Sequence, residues 1–210
     1  MQPKISVLMS IYNGFNYLRK AIDSILNQTF TDFEFIIIDD CSTEDEILEI
    51  LNDYSRQDKR IKIVQNQFNM GLTQSLNRGL QWVKGEYVAR IDADDISLPT
   101  RLEKQAVLLD RDPEIALVSC NNYEIDQQGQ IIGKNTSSCP PSLVAWHLIF
   151  HNRIGSQSNV MFRRDLAIAV GGYPDEWCYS QDYGLWSALS EKGKIVIHPE
   201  YLVKVRCHQE

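Results

Sequence analysis

A chain of 210 residues with 43% hydrophobic content is long enough to bury a full core, which argues against disorder and predicts one domain or two fused halves. The formal net charge of −7 provides no basic surface for a phosphate backbone, so we expect no nucleic acid as a partner. No apolar run approaches the roughly 18 residues that a transmembrane segment needs.

The cysteines of the chain are scattered and form no CxxC pair. Five cysteines without that spacing fit neither a disulfide framework nor a zinc site, and they favour a reducing compartment. A cytoplasmic protein is therefore expected, and peripheral association with the inner face of the plasma membrane stays open. The cysteines are Cys41, Cys120, Cys139, Cys178 and Cys207.

The first half of the sequence alternates two hydrophobic periods. A continuous apolar run at residues 5–11 predicts a strand, and apolar residues at helical spacing between Leu18 and Leu26 predict the helix that follows it. Repeated strand–helix pairs of this kind are typical of a parallel sheet with helices on both faces. Strands are likewise predicted over 33–38, 61–64 and 86–91, and helices over 47–54, after Ser42 and Asp45 at capping-box spacing, and over 72–83.

The second half has a mixed pattern, and a soft boundary near residue 100 separates it from the first. Strands and helices no longer alternate strictly there, which predicts a mixed α/β arrangement rather than a continued parallel sheet. Its predicted elements are a helix from Pro99 to Leu109, a strand at 116–119, a hairpin around Gln128 and Gly129, a helix near 143–150, and a helix end with a turn at Gly171 and Gly172.

Polar residues follow each of the four strands predicted in the first half. In an open parallel sheet, ligands bind outside the carboxyl ends of the strands, so these residues are expected to surround one site. They are Ser10, Ile11, Tyr12 and Asn13 after the first strand, Asp39 and Asp40 after the second, Asn66 and Asn69 after the third, and Asp92, Ala93, Asp94 and Asp95 after the fourth.

Three carboxylates, those of Asp92, Asp94 and Asp95, follow the fourth strand directly. Carboxylates this close repel one another unless a hard cation lies between them, and Mg²⁺ or Mn²⁺ is the natural occupant. Capping of the helix after Pro99 is the alternative for an isolated acidic turn, but the position after a buried strand favours metal binding. An EF-hand calcium loop is excluded, because its Gly and its distal Glu are missing at the required offsets.

Two strand ends have a structural alternative beside the functional one. Asp39 and Asp40 could serve only the turn and the helix dipole before Ser42, or one carboxylate could accept hydrogen bonds from a base or a ribose. Tyr12 could pack at the strand end or stack on a nucleobase. The residues alone leave both questions open.

Four segments, in sequence order, resemble the motifs of the family 2 glycosyltransferases, which have the GT-A fold. SVLMSIYNG is similar to the first nucleotide-binding segment, IIIDDCSTE to the second, NMGLTQSLNRG to the third and IDADDISLP to the DXD metal motif. GSQSNVMFRR and GGYPDEWCYSQDYGLW resemble the acceptor-side segment, and VKVRCH resembles a segment that closes over the site. The resemblance implies a Rossmann-like, mostly parallel sheet flanked by helices, with a nucleotide-sugar-binding half (1–100) fused to a mixed acceptor-binding half (101–210).

The resemblance also implies an inverting sugar transfer from a nucleotide diphosphate, with a UDP-sugar expected, to a hydroxyl of a glycan or lipid-linked acceptor in cell-surface polysaccharide synthesis. A divalent cation, Mn²⁺ or Mg²⁺, would bridge the donor phosphates. Asp40 would contact the uracil ring, Asp92 the ribose or sugar, and Asp94 the metal. The full donor site implied comprises Ser10, Ile11, Tyr12, Asn13, Asp40, Asn69, Gly71, Asn77, Asp92 and Ala93.

Two residues of the second half match functional positions of the family. Asp182, in SQDYGLW, matches the catalytic base that takes the proton of the acceptor hydroxyl, and its alternative is the N-cap of the helix carrying Tyr183 to Leu189. His208, in VRCH, matches a histidine that approaches the metal, and its alternative is a solvated side chain. The family usually continues beyond this point, which indicates either a truncated chain or a short member.

The sequence departs from the family pattern at three positions. Gln181 stands where many relatives carry Glu before the base, Gln157 stands where many carry His, and Ser10 replaces part of a common Pro-Thr pair. Gln181 supports an alternative function, a nucleotide-sugar-binding module whose catalysis has lapsed. The presence of Asp182 and of the acids near the donor argues against that alternative.

Two other enzyme classes fit less well. A sugar-phosphate nucleotidyltransferase would carry a Gly-rich, Arg-bearing loop after the first strand, and SIYNGFNYLRK is not one. A phosphatase of the haloacid-dehalogenase kind would carry its Asp-x-Asp element after the first strand rather than the fourth.

Overall fold

The structure, a computed structural model, describes residues 2–137, 139–148, 150–152, 154–177 and 179–208, and the Phe15 side chain lies outside the description. Within these ranges one mixed sheet contains nine strands. They are β1 (Ile5–Ile11), β2 (Phe33–Asp39), β3 (Ile61–Gln65), β4 (Tyr87–Arg90), β5 (Ile96–Ser97), β6 (Ile115–Ile125), β7 (Ile131–Asn135), β8 (Met161–Arg163) and β9 (Lys194–Arg206).

Seven α-helices of the described residues flank this sheet. A single 3₁₀ turn at Gln157–Asn159 precedes β8. The helices are α1 (Phe15–Leu26), α2 (Asp45–Gln57), α3 (Leu72–Trp82), α4 (Arg101–Arg111), α5 (Pro141–His147), α6 (Arg164–Ala169) and α7 (Gln181–Ser190).

The strands run in the order β3-β2-β1-β4-β8-β6-β9-β5, with β7 paired to β6. The first four strands, β1 to β4, are parallel, so their carboxyl ends share one edge, whereas the two-residue β5 is antiparallel to β9. β8 is antiparallel to both β4 and β6 and joins the second half to the same sheet. The predicted α/β class, parallel in the first half and mixed in the second, is confirmed.

Side chains of the central strands point alternately to the two faces of the sheet, and each face has its own apolar core. In β1, Val7 and Met9 pack with apolar residues of α1, α2 and α4, whereas Leu8 packs on the opposite face with α3 and α7. β2 divides in the same way. Burial of each such side chain contributes about 1.5–3 kcal/mol, so a slip of one residue in register would exchange the two faces and is strongly disfavoured.

Two predicted turns agree with the structure, whereas the predicted capping box of α2 does not. The hairpin at Gln128 and Gly129 is confirmed by the antiparallel pairing of β6 and β7. The turn at Gly171 and Gly172 is confirmed by positive φ angles of 93° and 79° at the end of α6. The capping box at Ser42 and Asp45 was wrong: Glu44 is the N-cap of α2, because the Ser42 hydroxyl instead accepts the Asn13 N–H at 3.0 Å.

No helix in the described ranges combines the length and the apolar character that crossing a bilayer requires.

Candidate active site

A cavity of about 310 Å³ opens at the carboxyl ends of β1 and β4, where the sequence placed its polar strand ends. It brings together most of the residues predicted for the donor and the metal. The lining comprises Ser10, Ile11, Tyr12, Asn13, Gly14, Asn16, Tyr17, Asp92, Ala93, Asp94 and His208.

The first wall of the cavity is the turn between β1 and α1. Asn13 and Gly14 have φ angles of 58° and 81°, a left-handed conformation that Asn and Gly tolerate best. The Asn13 carboxamide oxygen accepts the Thr43 N–H at 2.8 Å, which fixes the turn against the loop after β2. Tyr12 lines the cavity and is 50% exposed, and its stacking on a nucleobase stays a prediction.

The loop after β4 forms the opposite wall, and the buried side chain of Arg90 holds it in place. The Arg90 side chain has no exposed surface, and its Nη2 lies 2.5 Å from Asp92 Oδ1. Its Nη1 donates to the carbonyl oxygens of Leu8 and Ile91, both at 2.7 Å. The Asp92 N–H donates to the Ser158 hydroxyl at 2.9 Å. Asp92 is therefore anchored at its backbone and at one carboxylate oxygen, while it still lines the cavity.

Of the three carboxylates in this loop, that of Asp95 turns away from the cavity. Asp95 is 2% exposed, and its Oδ1 accepts the Arg206 N–H at 2.8 Å. Burial, reinforced by the charges of Asp92 and Asp94, raises the pKa of Asp95 to about 8. Two carboxylates, rather than three, thus face the cavity.

Asp94 meets the end of β9 at the mouth of the cavity. His208 Nε2 lies 2.6 Å from Asp94 Oδ2, and these side chains are 60% and 31% exposed. Arg206 Nε donates to the Asp94 carbonyl oxygen at 3.1 Å, and the Arg206 guanidinium lies 3.8 Å from the centre of the Tyr17 ring. These contacts hold the last described strand against the loop after β4.

The Asp94–His208 pair suits a divalent cation that takes its remaining ligands from phosphates and water. No group of three or more His, Cys, Asp or Glu side chains surrounds one point in the described part of the chain. A closed protein cage is therefore absent there, whereas Mg²⁺ in enzymes that act on nucleotides is usually bound by one or two carboxylates, such as that of Asp94, together with substrate phosphates. The residues present fit such an ion.

The other predicted donor residues lie outside the cavity lining. Asp40 is buried, and its carboxylate accepts the backbone N–H groups of Met70 and Gly71, each at 2.8 Å, and the Asn66 amide at 2.6 Å. Asp40 therefore fixes the loop that carries Asn69 and Gly71. Contact of Asp40, Asn69 and Gly71 with a donor stays a prediction.

Asn77 likewise has a structural role. Its amide nitrogen donates to the Tyr173 carbonyl and to Asp175, both at 2.8 Å, and its oxygen accepts the Tyr173 N–H at 2.8 Å. These bonds tie α3 to the segment before α7. The predicted donor contact of Asn77 is untested.

Asp182 lies in the first turn of α7. The N-cap of this helix is Ser180, so the alternative that Asp182 is the cap was wrong. Its Oδ1 accepts the Tyr183 N–H at 2.8 Å. Burial raises the pKa of Asp182 against the lowering effect of that hydrogen bond, and the charge of Asp92 raises it further.

Two buried residues beside these acids escaped the sequence analysis. Arg90 interrupts an apolar strand two positions before Asp92, on the same side of the strand, and that spacing was a usable signal. The buried Tyr173 hydroxyl has no hydrogen-bond partner of good geometry among the described residues, although Arg90 lies near enough to lower its pKa while burial raises it. Nothing in the local sequence marked Tyr173.

The profile of the family described as Glycosyl transferase family 2 matches residues 6–171. The chain belongs to this family. A relative from Haemophilus influenzae, described as an uncharacterized glycosyltransferase, is 36% identical over 98% of this chain and 66% of its own length. The O-antigen biosynthesis glycosyltransferase WbnJ of Escherichia coli is 34% identical over 87% of this chain and 70% of its own length.

Solved structures confirm the GT-A fold. TarS of S. aureus, in complex with UDP-GlcNAc, matches 99% of this chain with a TM-score of 0.81 at 20% identity. The mannosyltransferase PcManGT of Pyrobaculum calidifontis, in complex with GDP-Man and Mn²⁺, matches 97% with a TM-score of 0.73 at 19% identity. The chain spans 66% of the Haemophilus relative and 59% and 57% of these two solved chains.

Proposed function

We propose that this chain transfers a sugar from a UDP-sugar to a hydroxyl of a glycan or lipid-linked acceptor, with inversion at the anomeric carbon. The observation that carries the proposal is the single cavity in which the end of β1 faces Asp92, Asp94 and His208. In this proposal residues 1–100 bind the donor and residues 101–210 bind the acceptor.

The nucleoside is proposed to lie along the end of β1. Tyr12 offers an aromatic face, Ser10 and Asn13 offer polar groups beside it, and Asp92 and Ala93 close the opposite wall. Stacking with a few placed polar contacts is how protein pockets usually orient a flat ring. UDP and UDP-GlcNAc occupy TarS, and GDP-Man occupies the mannosyltransferase, which supports a nucleotide donor of this general class.

Asp94 and His208 are proposed to hold Mn²⁺ or Mg²⁺. Bound there, the ion would neutralise charge on the diphosphate as it leaves. The ion would supply this compensation at a lining whose described residues include neither Lys nor Arg. The Arg206 guanidinium stands behind Tyr17 and steadies the Asp94 backbone.

Asp182 is proposed as the general base. Its carboxylate would take the acceptor proton while the acceptor oxygen attacks the anomeric carbon opposite the departing diphosphate, which gives inversion in one displacement. A raised pKa makes Asp182 a stronger base than an exposed aspartate.

A second candidate function is a nucleotide-sugar-binding module without catalysis. Gln181, buried immediately before Asp182, is the observation that favours it, since a neutral amide cannot share proton transfer with the base. Retained binding with no turnover on any acceptor would support this module, whereas turnover that depends on Asp182 would exclude it.

The acceptor is proposed to belong to cell-surface polysaccharide assembly at the cytoplasmic face of the membrane. The names of WbnJ, for O-antigen biosynthesis, and of the amylovoran biosynthesis glycosyltransferase AmsE support a role in polysaccharide assembly.

Nucleotide binding tests the donor half of this proposal. Calorimetry of UDP, GDP and ADP, each with Mn²⁺ and with chelator, is expected to show tightest binding for UDP and a requirement for metal. Tighter binding of GDP than of UDP would mean that the donor carries guanine rather than uracil. Absence of binding for all three nucleotides in Mn²⁺ would refute the donor site.

A further inference from the structure

Gln157 shares one guanidinium with Asp92. Its side-chain oxygen accepts from Arg90 Nη2 at 3.1 Å and from Arg90 Nε at 3.4 Å, while the same Nη2 holds Asp92 Oδ1. Arginine has donors only, so the Gln157 atom that faces it must be the oxygen. The orientation of this amide is therefore set by chemistry, and its NH₂ group points away from Arg90.

Each of the two side chains that Arg90 contacts keeps one polar atom without a partner among the described residues. The Gln157 amide nitrogen donates to no described residue, and Asp92 Oδ2 accepts from none, whereas Oδ1 is occupied by Arg90. Gln157 is partly exposed and Asp92 lines the cavity. One hydroxyl group can donate to a carboxylate oxygen and accept from an amide N–H at the same time.

We propose that Gln157 and Asp92, held by Arg90, bind one hydroxyl of the transferred sugar. This inference rests on the proposed function and adds a residue that selects the donor sugar. Gln157 is a binding residue in it, and Arg90 is a positioning residue. The transferred sugar is favoured over the acceptor because Asp92 lies at the wall of the cavity proposed for the donor.

Two substitutions separate donation by the amide from its contact with Arg90. Gln157→Leu removes both, whereas Gln157→Glu keeps an oxygen for Arg90 and replaces the N–H donor with a second acceptor. Both are expected to lower the affinity ratio of UDP-sugar to UDP by up to about tenfold, since one hydrogen bond contributes about 0.5–1.5 kcal/mol. Gln157→His, whose neutral imidazole can accept and donate, is expected to keep a higher ratio than either.

Calorimetry with Mn²⁺ first measures the binding of UDP, UDP-glucose, UDP-galactose, UDP-GlcNAc and UDP-GalNAc to wild type. Each variant is then compared with wild type on UDP and on the UDP-sugar that wild type binds best. Gln57→Leu, on the exposed end of α2, is the matched control. A lower ratio with unchanged UDP affinity supports the inference. An unchanged ratio, or equal losses for UDP and UDP-sugar, overturns it and leaves the proposed function intact. Wild type that binds none of these ligands contradicts both.

Discussion

The Asp94 carboxylate and the His208 imidazole meet at 2.6 Å, although 114 positions separate them in the chain. This contact joins the loop after β4 to the residues after β9. Beside it, the Arg206 backbone N–H donates a hydrogen bond to the Asp95 carboxylate. The mouth of the cavity is thus assembled from both halves of the chain.

Removal of either side chain of that pair is expected to weaken metal-dependent nucleotide binding. Asp94→Ala should abolish the difference between UDP binding with Mn²⁺ and with chelator, and His208→Ala should reduce UDP affinity in Mn²⁺ by about tenfold or more. Calorimetry measures both, with His151→Ala as control, because His151 is exposed and lines no part of the cavity. Equal metal dependence in Asp94→Ala and wild type would show that the ion binds elsewhere.

Asp182→Asn is expected to lower transfer by about 10²–10⁴-fold while UDP affinity stays within twofold, since the amide keeps the shape but cannot take a proton. UDP release from the best-bound UDP-sugar, with lipid-linked glycans as acceptors, measures the rate. Asp165→Asn is a matched control, because Asp165 also lies in the first turn of a helix and accepts the next N–H at 2.9 Å. Full activity in Asp182→Asn would remove Asp182 from the mechanism.

The rate of transfer is expected to fall with acid at a pH above the usual aspartate range. The pKa of Asp182 is raised by burial, so the base becomes protonated at a higher pH than an exposed aspartate, whose pKa is about 3.9. The pH profile of kcat/KM measures this acid limb. A limb at the ordinary aspartate pKa would contradict the burial of the base.

The raised pKa of Asp182 also affects the stability of the fold. A carboxyl whose pKa is raised by folding favours the folded state below that pKa and disfavours it as the pH rises through it. Asp182→Asn is therefore expected to leave thermal stability at neutral pH unchanged or higher. A lower melting temperature at pH 7, with no gain at any pH, would contradict this sign.

Asp40→Asn is expected to reduce the free energy of unfolding by about 1–3 kcal/mol, because two backbone N–H groups of the 66–71 loop lose a charged acceptor. Urea denaturation measures it. Asp53→Asn, on the exposed face of α2, is the control and should change little. Loss of UDP binding without loss of stability would instead support the uracil contact predicted for Asp40.

The first half of the fold was predictable because its strands are continuous apolar runs and its helices have clear apolar faces. β8 and β9 were missed for opposite reasons. β8 has only three residues, and β9 mixes Lys194, His198 and Glu200 with apolar residues over 13 positions, so neither shows a hydrophobic period.

The candidate site was predictable where the sheet edge alone determines position. The ends of β1 and β4 are neighbours in the sheet, and their polar residues share the cavity. The end of β3 is two strands away, so Asn66 reaches Asp40 rather than the cavity. The roles of Arg90 and Gln157 depend on β8 lying antiparallel to β4, a pairing that no local pattern predicts.

A crystal structure with UDP and Mn²⁺, with anomalous data collected for manganese, would locate the nucleotide and the ion together. We expect a manganese peak between Asp94, His208 and the UDP phosphates, with the uracil ring beside Tyr12. A UDP molecule bound away from this cavity, or a manganese peak that touches neither Asp94 nor His208, would contradict it.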